Sequence, residues 1–142
     1  MYDDVLLPTD GSDAADAAVQ HAIELADRYG ARLHVLYVAD TTEYSTVTFE
    51  DAVVDPLTEE GESVVDGVVE QATDRNVDAV GVVMKGGAYE TILQYVEDEG
   101  IDAIVMGTHG RRGLDRALLG SVTERVVRTA DVPVLTVRAD EE

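Results

Sequence analysis

Between Met106 and Ser121 the chain sets four glycines and three arginines into sixteen residues, Met106-Gly107-Thr108-His109-Gly110-Arg111-Arg112-Gly113-Leu114-Asp115-Arg116-Ala117-Leu118-Leu119-Gly120-Ser121. Glycines let backbone N–H groups approach an anion closely, and a helix beginning at Ser121 adds the partial positive charge of its N-terminus. Glycines alone would serve a plain loop equally well. The cations tip the reading toward phosphate: Arg111, Arg112, Arg116, Arg125 and Arg128 are five of the ten Lys and Arg residues in a chain of net charge −20. Arg125 has helix neighbours to pair with and Arg128 lies near a helix C-terminus, whereas Arg111 and Arg112 have no such structural explanation. His109, between loop glycines, could donate to a phosphate or point to solvent, and the solvent reading is preferred; His21 and His34 are read as structural. Asp115 is the one carboxylate inside the loop and could support a Mg²⁺ ion through bound phosphate oxygens.

Two common nucleotide motifs are excluded. No G-x-x-x-x-G-K-[ST] occurs, and Gly107, Gly110 and Gly113 are spaced G-x-x-G-x-x-G rather than G-x-G-x-x-G. The loop offers neither a lysine nor an obvious base to activate water, so rapid phosphoryl transfer lacks its parts.

The elements that must hold this loop follow from the period of the apolar residues. Runs of strand type alternate five times with amphipathic stretches, the pattern of βαβ units and a parallel sheet. The first run is Val5-Leu6-Leu7; Ser12 then offers an N-cap, and a helical stripe from Ala15 to Tyr29 ends at Gly30. Leu33 to Val38 is the second strand. Residues 40–55 show no clean period, and Asp55-Pro56 reads as an N-cap with proline in the first helical position. Later strands are expected at Ala79 to Met84, Ala103 to Met106 and Val132 to Val137, with a helix between Gly87 and Gly100 and another from Ser121 to Thr129. The lead-ins Val77-Asp78-Ala79 and Ile101-Asp102-Ala103 suggest one helix-to-strand turn used twice. Nearly continuous apolar strands imply helices on both faces of a doubly wound α/β sheet. Ligands in such sheets sit outside the C-terminal strand ends where the order reverses, which directs attention to residues 8–12, 38–40 and 106–121.

Composition bounds the rest. A length of 142 residues with 45% apolar content suits a single domain with its own core. The absence of cysteine removes thiol, disulfide and cysteine-ligated metal chemistry. Thirty acidic residues oppose nucleic acid and anionic membrane surfaces. An acidic partner-binding or cation-binding surface is one reading of them; their spread along the whole chain favours the other, a halophile, whose molar salt shrinks the Debye length to about 3 Å. With neither a leader pattern nor a run of about 18 apolar residues, a cytoplasmic location is expected.

The loop also fits G-x2-G-x9-G-[ST] at Gly107, Gly110, Gly120 and Ser121. Here the sequence resembles the universal stress protein family, through Val5-Leu6-Leu7-Pro8-Thr9-Asp10-Gly11-Ser12, Leu36-Tyr37-Val38 and Gly120-Ser121-Val122-Thr123-Glu124, three separated matches in order. The resemblance is to the ATP-binding branch, with an adenine nucleotide α-hydrolase-like, Rossmann-like fold. It implies an ATP site, with Mg, formed by Pro8, Thr9, Asp10, Val38, Met106, Gly107, Gly110, Gly120, Ser121 and Val122. In that site Gly110, Gly120, Ser121 and Val122 hold phosphates, Asp10 and Gly107 face the ribose, and the Val38 backbone reads the adenine edge. Without the resemblance, Asp10 reads as a turn residue before Gly11. The resemblance further implies a homodimer through the last strand, whose Pro133 marks it as a sheet edge. The expected function is an ATP-binding stress-response protein whose occupancy changes conformation or partner interaction, with at most slow hydrolysis and no catalytic residue. Two alternatives are an enzyme that hydrolyses ATP or transfers adenylyl groups, and a dimeric interaction module without nucleotide. The first lacks a His-x-x-His or His-x-Gly-His element near the first strand, and the intact glycine loop opposes the second.

Overall fold

A computed structural model of the chain describes residues 1–40, 50–108 and 120–138. Strand and helix alternate throughout: β1 (Asp4–Pro8), α1 (Asp13–Tyr29), β2 (Arg32–Asp40), α2 (Glu50–Asp74), β3 (Ala79–Gly86), α3 (Ala88–Glu99), β4 (Ala103–Gly107), α4 (Ser121–Thr129) and β5 (Val134–Val137). The five strands form one sheet in the order β3-β2-β1-β4-β5, and every adjacent pair is parallel. The order reverses between β1 and β4, so the crevice expected from the sequence opens above Pro8 and Gly107.

The period of two along each strand divides the core into two layers. Val5, Leu7, Val35, Tyr37 and Val105 face α1 and α2 and pack with Ala18, Ala22, Ile23, Val65 and Val68. Leu6, Leu36, Ile104 and Met106 face the other way, toward Ile92, Tyr95 and Val96 of α3 and Val126 of α4. Both faces are therefore covered, and β1 and β4 are buried almost throughout. β3 and β5 are the edges and are only partly buried.

Three helices stop in the same way. The residue after the last turn takes the left-handed conformation, Gly30 at φ 63°, Asn76 at φ 65° and Gly100 at φ 64°. The next N–H then donates to a carbonyl five residues back: Ala31 to Ala26, Val77 to Ala72 and Ile101 to Val96, at 2.8, 2.9 and 3.0 Å. This pairing satisfies helix-end carbonyls and turns the chain directly into β2, β3 or β4. The turn read twice in the sequence is thus used three times, with asparagine standing where the other two use glycine.

β2 and β3 run two residues past their expected ends, to Asp40 and Gly86, and two starts also differ from expectation. α2 begins at Glu50, five residues before Asp55, so Pro56 lies within the helix instead of opening it. Proline's fixed φ suits any helical position, and its costs are a missing N–H and crowding of the carbonyl four residues back; it signals a nearby start without saying how many residues precede it. β5 begins at Val134, after Asp131, Val132 and Pro133 have made the turn from α4.

Candidate nucleotide site

The end of β1 is fixed before any ligand is considered. Beyond Pro8 the Thr9 N–H donates to the Leu36 carbonyl at 2.9 Å, which extends the β1–β2 ladder by one step and leaves Thr9 only 6% exposed. The Thr9 hydroxyl accepts from the Gly11 N–H at 3.1 Å and the Asp10 carboxylate from the Ser12 N–H at 2.9 Å. Ser12 then caps α1 by accepting from the Ala15 N–H at 3.1 Å. Four consecutive residues thus form a chain of side-chain-to-backbone bonds that holds the Asp10 carboxyl group at the crevice. The turn role read for Asp10 is real and leaves a carboxylate there, the group that accepts well from ribose hydroxyls.

Met106 and Gly107 end β4 and are buried. The next residue, Thr108, donates its N–H to the Val137 carbonyl of β5 at 3.1 Å, while its own carbonyl accepts from the Gly120 N–H at 2.7 Å. Gly120 is the N-cap of α4 and contributes no side-chain cap. Ser121, Val122 and Thr123 therefore open the helix with a bare glycine in front of them. N–H groups in a first turn have no partner within their own helix, and Ser121 adds an exposed hydroxyl at the same place. Val122 packs its side chain against the layer formed by Leu6, Ile104 and Met106.

On the other flank, Val38 of β2 pairs in register with Met84 of β3, two residues before β2 ends. Its side chain joins the layer that holds Leu36 and Met106. Met84 is exposed to 39%, so an apolar shelf lies beside the β2 end.

The structure accordingly brings Pro8, Thr9, Asp10, Val38, Met106, Gly107, Gly120, Ser121 and Val122 to the C-terminal side of the sheet. Gly110, with His109, Arg111, Arg112, Asp115 and Arg116, lies outside the described residues, as does the stretch 41–49. Among the described residues no group of three His, Cys, Asp or Glu side chains could hold a metal ion. The two remaining cations of the arginine cluster have structural partners: Arg125 stacks over the Tyr89 ring at 4.6 Å and Arg128 pairs with Glu124 at 2.6 Å. The Tyr89 contact joins α4 to α3 and replaces the pairing within α4 read for Arg125. His34 is structural as read: it is buried on β2, with Nδ1 at 2.8 Å from the Tyr95 hydroxyl and Nε2 at 2.9 Å from Asp4 Oδ1.

One site residue escaped the sequence reading. The buried Thr123 hydroxyl donates to the Gly107 carbonyl at 2.9 Å, across sixteen residues. The available signal was a β-branched hydroxyl residue in the first turn of a helix, a placement that gains little from intrinsic propensity.

An all-parallel α/β sheet with a glycine-capped helix at its switch point defines a class of small-ligand-binding fold. Within that class the comparisons are specific. The universal stress protein family model matches residues 1–138, and the chain belongs to this family. Universal stress protein MJ0531 of Methanocaldococcus jannaschii is 36% identical over 141 residues, which cover 97% of this chain and 83% of that protein. The solved structure of MJ0577, a universal stress protein of the same organism, superposes with a TM-score of 0.90 at 34% identity, covering 100% of this chain and 99% of that one. The fold is also shared with two more distant structures. One is a family protein from Arabidopsis thaliana with AMP bound, with a TM-score of 0.73 and 18% identity over 97% of this chain and 92% of that one. The other is a universal stress protein in complex with cAMP, at 0.66 and 20%, covering 98% of each chain.

Proposed function

We propose that the chain binds an adenine nucleotide, ATP with Mg²⁺, at the crevice between the β1 and β4 ends, and that occupancy changes its conformation or its interaction with a partner. The observation that carries this reading is the joint between β4 and α4. A bare glycine N-cap, the exposed Ser121 hydroxyl and first-turn amides that have no partner within their own helix offer donors to a phosphate, at the same end of the sheet as the Asp10 carboxylate. Membership of a family in which other proteins carry AMP and cAMP supports the choice of adenine.

In this reading Gly110, Gly120, Ser121 and Val122 hold phosphates, Asp10 and Gly107 face the ribose, and the Val38 backbone meets the adenine edge, with Pro8, Thr9 and Met106 shaping the floor. A route from occupancy to surface exists in the backbone: Gly120 N–H to Thr108 carbonyl, then Thr108 N–H to Val137 carbonyl on the edge strand. That edge is the proposed homodimer interface, where Leu135 of β5 and Val127 of α4 are exposed to 48% and 44%. The protein acts in a cytoplasm of high salt, and its charge keeps it off nucleic acid. In the described residues no helix is long and apolar enough to cross a membrane.

The test is titration calorimetry with ATP and Mg²⁺ in concentrated KCl, on the parent and on a folded Gly110→Asp, Ser121→Ala double variant. Binding by the parent and loss in the variant is expected. Equal binding by both removes the nucleotide from this loop, and steady release of phosphate or pyrophosphate during the titration would move the protein among enzymes.

A further inference from the structure

The chain must leave β4 at Gly107 and enter α4 at Ser121, and two bonds set the relation of these two points. One is between backbone groups, from the Gly120 N–H to the Thr108 carbonyl at 2.7 Å. The other is the Thr123 hydroxyl to the Gly107 carbonyl at 2.9 Å, with Thr123 only 3% exposed. Thr123 is the third residue of α4, and its hydroxyl donates outside its own helix. It fastens the first turn of the helix to the last residue of the strand.

We infer that Thr123 is a positioning residue, which holds the phosphate-facing start of α4 at a fixed offset from the ribose-facing end of β4, so that one nucleotide engages both at once. The inference rests on the nucleotide reading above and adds to it a residue that touches no ligand. A ligand bridging two half-sites gains from their connection only when the spacing matches, as a misplacement of about 1 Å can cost about 100-fold in catalytic rate. Ligands that occupy a single half-site are indifferent to that spacing. A merely structural threonine would affect all ligands alike, through the folded fraction.

The experiment compares the parent with Thr123→Val, which keeps the shape and deletes the hydroxyl, and with Thr123→Ser, which restores it. Thr123→Ala repeats the deletion with a smaller side chain in case the valine variant folds poorly. Calorimetry in concentrated KCl measures binding of ATP with Mg²⁺, of adenosine, and of inorganic tripolyphosphate, with folding checked by urea titration. Deletion is expected to weaken ATP by about tenfold or more, to leave adenosine and tripolyphosphate within about twofold, and to be reversed by serine. ATP affinity unchanged by the valine or alanine substitution overturns the inference, as does an equal loss for all three ligands or a failure of serine to restore binding. Absence of ATP binding in the parent overturns the nucleotide reading itself, and the inference with it, before any variant is compared.

Discussion

Gly120 stands where most helices place a side chain that caps their own first turn. Aspartate is among the best N-cap residues, and the backbone here, φ −65° and ψ 161°, is one that any L-residue adopts. Gly120→Asp is therefore expected to leave stability within about 1 kcal/mol of the parent, or to raise it, while its carboxylate takes the amides a phosphate would use and repels the anion. Thermal unfolding and ATP titration on one sample check both halves: a stable variant with full ATP affinity would remove phosphate from the α4 start. A second residue reports on the buried network below the sheet. Burial raises the Tyr95 hydroxyl above its ordinary pKa of 10.0, with a further push from the Glu99 charge. The folded state thus keeps a proton that the unfolded chain loses first, so this contribution is complete below about pH 10 and fades as pH rises through the higher folded value. Urea midpoints between about pH 9 and 11 should fall, and fall less steeply in Tyr95→Phe. That variant starts lower, because His34 Nδ1 loses its 2.8 Å partner. Asp10 shows how much of the site was legible: its position before Gly11 suggested a turn, and the bond to Ser12 is that turn. The ribose role came from family resemblance, since a single carboxylate beside a strand end carries no chemical signature of its own. Thr123 was illegible for a different reason, because its partner lies sixteen residues away and is a backbone carbonyl that leaves no trace in residue types.

At the scale of elements, the repeated turn gives a sharper test than any single contact. A side chain at Gly30 would meet nothing within 4 Å, so Gly30→Ala isolates the cost of the left-handed backbone. A loss of about 1 kcal/mol is expected, and Asn76→Gly, at the same conformation, should gain a few tenths or more. Urea midpoints at constant slope measure both; an unchanged Gly30→Ala midpoint would contradict the assignment of the turn. Strands and helix ends were readable because apolar period and glycine punctuation are local. Asn76 was passed over because asparagine marks left-handed residues less strictly than glycine does. The start of α2 was misplaced because proline is favoured in the first turn of a helix, whereas Pro56 is the seventh residue of α2, and its neighbours Asp51 to Val54 carry no stop signal. The close approach of α2 to the sheet was equally hidden: a side chain at Gly61 would meet the Tyr37 ring at 2.5 Å, which becomes apparent only once helix and strand are placed together.

For the whole molecule the dominant fact is the net charge of −20. Described ion pairs such as Arg28–Glu24 and Arg75–Asp27 are exposed and offset little of the mutual repulsion. Dilution of salt lengthens the screening distance from about 3 Å at 1 M to about 10 Å at 0.1 M. The melting temperature is therefore expected to fall steeply as KCl is lowered over that range; an unchanged value would count against a protein adapted to high salt. The edge at β5 makes a separate prediction. Leu135→Asp places a charge on the proposed dimer surface and should convert a dimer to a monomer in sedimentation at high salt, with the fold retained; a parent that sediments as a monomer would remove the interface altogether.

The most direct test of the central claim, an adenine nucleotide held between the β4 end and the α4 start, is amide NMR of the labelled protein titrated with ATP and Mg²⁺ in concentrated KCl. The amide signals of Gly120, Ser121 and Val122 should move farthest, together with those of Thr9 and Asp10, and those of Asp3 and Asp102 at the opposite end of the sheet should stay in place. Shifts confined to that opposite end, or none anywhere at millimolar nucleotide, would contradict it.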